Sequence, residues 1–81
     1  MELKIFWQPE CPNCPAAKEL GDMLERSVKI SYFNIKEAGG LAESIFWGIM
    51  STPSMVLVKD GAEIATWRGM TPTIEQIKAK L

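Results

Sequence analysis

The chain has 81 residues, a formal net charge of −1, 47% hydrophobic and 23% charged residues, two cysteines and no histidine. That composition suits one small globular domain over residues 1–81, not a disordered tail, and its intermixed charges offer nothing to nucleic acid or an anionic membrane. The lack of histidine removes Cys–His nucleophiles, imidazole bases and His-containing metal sites, and no apolar stretch is long enough to span a membrane. The N-terminus runs directly into Glu2 and Lys4, with an apolar run too short for a secretory leader, so a cytoplasmic setting is expected.

Leu3, Ile5 and Trp7 alternate with Lys4 and Phe6, which predicts a central strand covered on both faces. Gln8-Pro9-Glu10 interrupts it, and Cys11-Pro12-Asn13-Cys14 follows. From Pro12 the pattern is helical, with Ala17, Leu20 and Leu24, joined by Ala16 and Met23, on the apolar face and Lys18 solvated on the outer one. Pro12 and Pro15 fit only at the start of a helix, which places both cysteines at its N-terminus. Unpaired N–H groups and the positive end of the helix dipole favour a thiolate there. Two sulfurs within one turn can join, so the pair can cycle between dithiol and disulfide. The loop they close is too small for a useful structural staple.

Residues 28–35 read as a second strand, and strand, helix and strand in so short a span imply a right-handed parallel unit. After Ala38-Gly39-Gly40, the residues Leu41, Ile45 and Ile49, with Ala42 and Phe46, predict the packing face of a second helix that Gly48 closes. Thr52-Pro53 precedes a third strand over 55–58, and Lys59-Asp60-Gly61 turns the chain into a fourth over 62–67. Arg68-Gly69-Met70 is a loop. Thr71-Pro72 is the predicted cap of a last helix whose face is Ile74, Ile77 and Leu81. The order is β-α-β-α-β-β-α, an α/β fold.

Cys-x-x-Cys after the first strand, Thr52-Pro53 before the third, the hairpin at Gly61 and the late Gly69 together resemble the thioredoxin/glutaredoxin family across essentially the whole chain. Phe6-Trp7 before the motif looks like thioredoxin; the short length and Cys-Pro-x-Cys look like glutaredoxin. The resemblance implies a thioredoxin-like fold with a mixed four-stranded sheet in the order 2-1-3-4 and helices on both faces. It also implies thiol–disulfide exchange, with Cys11 as nucleophile and Cys14 as resolving thiol. Thr52-Pro53 would be cis and would pair with an extended substrate, beside Pro12, Asn13, Gly69 and Met70. Implied partners are disulfide-containing proteins and an electron donor, either a thioredoxin-reductase-like flavoprotein or glutathione; no cofactor is implied, and a monomer is the default.

The chain departs from both branches. Ile5 and Tyr32 occupy positions where thioredoxins carry a buried Asp and a Lys. Gln8 and Arg68-Gly69-Met70-Thr71 stand where glutaredoxins offer a Lys and a Gly-Gly-x-Asp element for glutathione. The expectation is a protein disulfide reductase or electron carrier, with a glutathione-coupled glutaredoxin or a ribonucleotide reductase donor as alternatives. A non-catalytic binding or metal-carrying module is the reading of another class. One Cys-x-x-Cys supplies two of the four ligands zinc wants, so a metal would need two copies of the chain.

Overall fold

A computed structural model describes residues 1–81. The elements are β1 (Glu2–Trp7), α1 (Cys14–Leu24), β2 (Lys29–Asn34), α2 (Ala38–Phe46), β3 (Ser54–Lys59), β4 (Ala62–Trp67) and α3 (Ile74–Lys78). They form one four-stranded sheet in the order β2-β1-β3-β4, as the resemblance implies. β1 runs parallel to β2 and antiparallel to β3, and β4 returns antiparallel beside β3. Asp60 and Gly61 both have positive φ, 52° and 81°, as a two-residue hairpin with matched twist requires.

The central strands are covered on both faces. On one face Leu3, Ile5, Met55 and Leu57 pack with Ala17, Leu20 and Leu24 of α1 and Ile77 of α3. On the other, Phe6, Val56, Val58 and Ile49 form a smaller cluster flanked by Phe33 and Trp47. The ring of Phe6 stacks on Phe33 with centroids 5.3 Å apart. This two-sided burial fixes the C-terminal end of β1, from which the cysteine loop springs.

Three sequence expectations change. On α1 the inner face is Cys14, Ala17, Leu20, Gly21 and Leu24, whereas Ala16 and Met23 face solvent. On α2 the apolar residues Leu41, Ile45 and Phe46 are exposed, and Gly40 and Ser44 face the sheet instead. The cause is close approach: a Cβ on Gly40 would land on the backbone carbonyl of Asn34, so only glycine lets α2 sit against the end of β2. Ser44, one turn on, then follows it inward and donates to the Leu41 carbonyl at 2.7 Å. The helix closes in a Schellman motif, with Ile49 N–H donating to Ser44 O at 2.7 Å, Gly48 N–H to Ile45 O at 3.2 Å, and Gly48 at φ 69°.

The last helix is capped by Thr73, not by Thr71-Pro72. Thr73 Oγ1 accepts from Gln76 N–H at 3.1 Å, while Thr73 N–H donates to Gln76 Oε1 at 2.8 Å, so the capping box satisfies two donors that Thr71 could not reach. Of the predicted face, Ile77 is buried and Leu81 is exposed.

Candidate active site

β1 ends at Trp7, and Glu10 adopts φ 62° to turn the chain toward α1. Cys14 N–H donates to Cys11 O at 3.2 Å, and α1 starts at Cys14, with Pro15 inside its first turn. Pro15 has no N–H to lose at that position, so the proline costs the helix nothing. Asn13 makes no side-chain cap, leaving the first N–H groups of α1 facing the sulfurs' end of the helix. Cys11 and Cys14 are joined as a disulfide, with Cα atoms 5.3 Å apart. Cys14 is 3% exposed and Cys11 is half-buried, so the two sulfurs differ in access. A cleft of about 510 Å³ opens on the pair, walled by Trp7, Pro12, Pro15 and Lys18; Pro12 and Asn13 are exposed beside it.

The Thr52–Pro53 peptide bond is cis, and Pro53 is fully buried. Thr52 Oγ1 donates to Cys11 Sγ at 3.7 Å and accepts from Gln8 Nε2 at 2.7 Å. Thr52 thus reaches the sulfur. Gly69 and Met70 do not wall the cleft. They belong to the opposite loop, where Gly69 has φ 69° and an added Cβ would come 3.2 Å from Ser51 Oγ. Met70 is exposed, and Met50 is almost wholly so.

Ser54, which the sequence pattern did not mark, ties these two loops together. It is fully buried, donates to Ser51 O at 2.7 Å and accepts from Gly69 N–H at 2.9 Å. A polar residue heading the apolar run 55–58 was the available signal. Ser54→Ala would take the shared partner from the part-buried Ser51 carbonyl and Gly69 N–H and should lower unfolding free energy by about 1 kcal/mol, measured by urea denaturation.

Lys18 is not a solvated outer-face lysine. Its ammonium lies 3.5 Å from the centroid of the Trp7 ring, because the ring's negative face holds the cation against the cleft. Trp7 is correspondingly half-buried and rims the site. Ile5 and Tyr32 are register partners on β1 and β2. The Tyr32 hydroxyl passes over Gly21, its one proton shared between Asp22 Oδ1 at 3.2 Å and the Lys18 carbonyl at 3.3 Å. Its phenol titrates above the ordinary tyrosine value, first because partial burial disfavours the anion and next because Asp22 repels it. A raised folded value means the stability it contributes is intact below the unfolded value and is lost as pH rises through the folded one. Tyr32→Phe should therefore flatten the loss of stability above about pH 10, read by urea midpoints across an alkaline series.

No group of three or more His, Cys, Asp or Glu side chains gathers to hold a metal. The chemistry on offer is that of one accessible and one buried sulfur, close enough to bond, at a helix start.

A family model described as Thioredoxin domain matches residues 1–81. The chain is 31% identical over 64 residues to the thioredoxin of Methanocaldococcus jannaschii, covering 74% of this chain and 73% of that one. It is 31% identical over 74 residues to the thioredoxin of Bacillus subtilis, covering 86% and 69%. Among solved structures, a malaria parasite thioredoxin-2 superposes with a TM-score of 0.80 at 15% identity, covering 96% of this chain and 77% of the other. Thioredoxin O2 from Arabidopsis thaliana, in its oxidised state, gives 0.79 at 17% identity, covering 96% and 69%. At those identities the superpositions speak for the fold, and the family model and sequence relatives speak for the rest. The chain belongs to the thioredoxin family and is a thiol–disulfide oxidoreductase, with the Cys11–Cys14 disulfide as its redox pair.

Proposed function

We propose that the protein is a cytoplasmic carrier of electron pairs to disulfide-containing proteins, with Cys11 as the attacking thiolate and Cys14 as the resolving thiol. The observation that carries this is the difference in access: Cys11 is half-buried at the cleft, and Cys14 is 3% exposed behind it. In the reduced protein, Cys11 attacks one sulfur of the substrate disulfide; a mixed disulfide forms and the other substrate sulfur leaves as a thiolate. Cys14 then attacks Cys11 Sγ, the Cys11–Cys14 disulfide forms, and the second substrate thiolate leaves. Two electrons pass to the substrate, whose thiolates take up two protons. Thr52, ahead of the cis bond, offers its backbone to an extended substrate segment, with Pro12, Asn13, Gly69 and Met70 at the margins.

The donor that returns two electrons is a thioredoxin-reductase-like flavoprotein, supported by the neutral Gln8 and by Arg68-Gly69-Met70-Thr71 standing where glutathione recognition is expected. A paired assay tests this. Reduction of insulin disulfides should proceed with NADPH and thioredoxin reductase and stay at background with glutathione and glutathione reductase. Turnover with glutathione alone would transfer the protein to the glutaredoxin branch.

A further inference from the structure

Two hydrogen bonds meet at one hydroxyl. Gln8 Nε2 donates to Thr52 Oγ1 at 2.7 Å, and Thr52 Oγ1 donates to Cys11 Sγ at 3.7 Å. A threonine hydroxyl carries one proton and two lone pairs. With the Gln8 amide on a lone pair, the proton is free to point at the sulfur. Both Gln8 and Thr52 are half-buried, so water competes poorly for that hydroxyl.

We propose that Gln8 is a positioning residue of the redox centre: its carboxamide sets the rotation of the Thr52 hydroxyl so that the proton is delivered to Cys11 Sγ. The proposal rests on Cys11 being the attacking sulfur. A disulfide sulfur is a weak acceptor and a thiolate a charged one, so the contact strengthens on reduction. Gln8 acts entirely through Thr52 and brings no charge of its own. The charged groups nearby are Glu10 and Lys18, which line the same cleft, and Asp22, which shares a second cavity with Tyr32 beyond Trp7 and Lys18. Arg68 is turned away, donating to Gly48 O at 3.2 Å. Neutral replacement of Gln8 changes none of these.

The test is the pH profile of iodoacetamide alkylation of the reduced protein, with the labelled cysteine identified by mass spectrometry. Gln8→Met removes the donor at similar length and should raise the midpoint by about 0.5–1 pH unit. Gln8→Glu, isosteric with the wild type, accepts the Thr52 proton instead and should raise it further. Thr52→Val should raise it at least as much as Gln8→Met, and adding Gln8→Met to Thr52→Val should then change nothing. An unmoved midpoint in Gln8→Met, or the same shift with and without Thr52, would overturn the role of Gln8. Label on Cys14 in the wild type would instead overturn the assignment of Cys11, and the relay with it. Label on Cys11 with no shift removes the Gln8 relay alone.

Discussion

Cys14→Ser should convert the enzyme into a trap: incubated with a disulfide substrate, the reduced variant accumulates one equivalent of mixed disulfide through Cys11 and turns over at background. Cys11→Ser should turn over at background too, but without accumulating any adduct. The asymmetry follows from access and order of events. Cys11 is the more accessible sulfur, and Cys14, 3% exposed, lies bonded behind it. Without Cys14 the first exchange proceeds and the second cannot. Non-reducing gel mobility and intact mass check both variants, and equal residual activity in the two would contradict a dithiol mechanism. Neither substitution opens a large cavity, so a loss of activity with retained fold is the expected reading.

The largest effect on stability is expected from a pair of adjacent glycines that act in opposite directions. Alanine at either position of α2 gains about 1 kcal/mol of helix propensity over glycine. At Gly39 nothing lies within 4 Å of the added carbon, so Gly39→Ala should stabilise by up to that amount. At Gly40 the added carbon lands on the Asn34 carbonyl, with Asn34 N only 3.0 Å away. Backbone in a paired strand cannot swing aside as a side-chain tip can, so α2 must lift from β2. Gly40→Ala should therefore destabilise by about 3 kcal/mol or more, as severe overpacking does. For 81 residues that is a large share of a total of roughly 4–12 kcal/mol. Urea midpoints of the two variants, compared with the wild type, should move in opposite directions. A Gly40→Ala protein as stable as Gly39→Ala would mean that α2 does not approach the sheet this closely.

The same glycine explains where the sequence was and was not legible. Strands declare themselves through local rules: alternation in β1, the unbroken apolar run in β3, and Asp60-Gly61 between β3 and β4. The parallel pairing of β1 and β2 followed because so short a connection permits few alternatives, whereas the order 2-1-3-4 came only with the family resemblance. The cysteine loop was legible because prolines beside Cys14 leave a helix start as the only place for it. The rotation of α2 was not. Its hydrophobic periodicity points Leu41 and Ile45 inward, whereas contact with Asn34 selects the small residues Gly40 and Ser44. A backbone-to-backbone approach leaves no mark in side-chain hydrophobicity. Ser54 carries no such mark for a related reason: beside the local Ser51 carbonyl, its other partner is Gly69 N–H, 15 positions away and a neighbour only after the sheet forms.

The site shows the same division. Cys11 and Cys14 stand out by chemical type and spacing, and Thr52-Pro53 by its place in the pattern that resembles the family. Gln8, Lys18 and Tyr32 act by where their side chains turn. Lys18 sits against Trp7 because an indole face lies within reach of its stem. Tyr32 reaches Asp22 only across the bare surface of Gly21, a contact 10 positions apart in sequence and set by the register of β1 with β2.

The most direct measurement is a thiol count across a graded series of dithiothreitol redox buffers, with intact mass taken at each point. An enzyme that works by the Cys11–Cys14 couple should lose both thiols together in one two-electron transition, with the mass falling by two hydrogens and no species of doubled mass. Thiols that disappear one at a time, or only with a second chain or a buffer adduct attached, would contradict it.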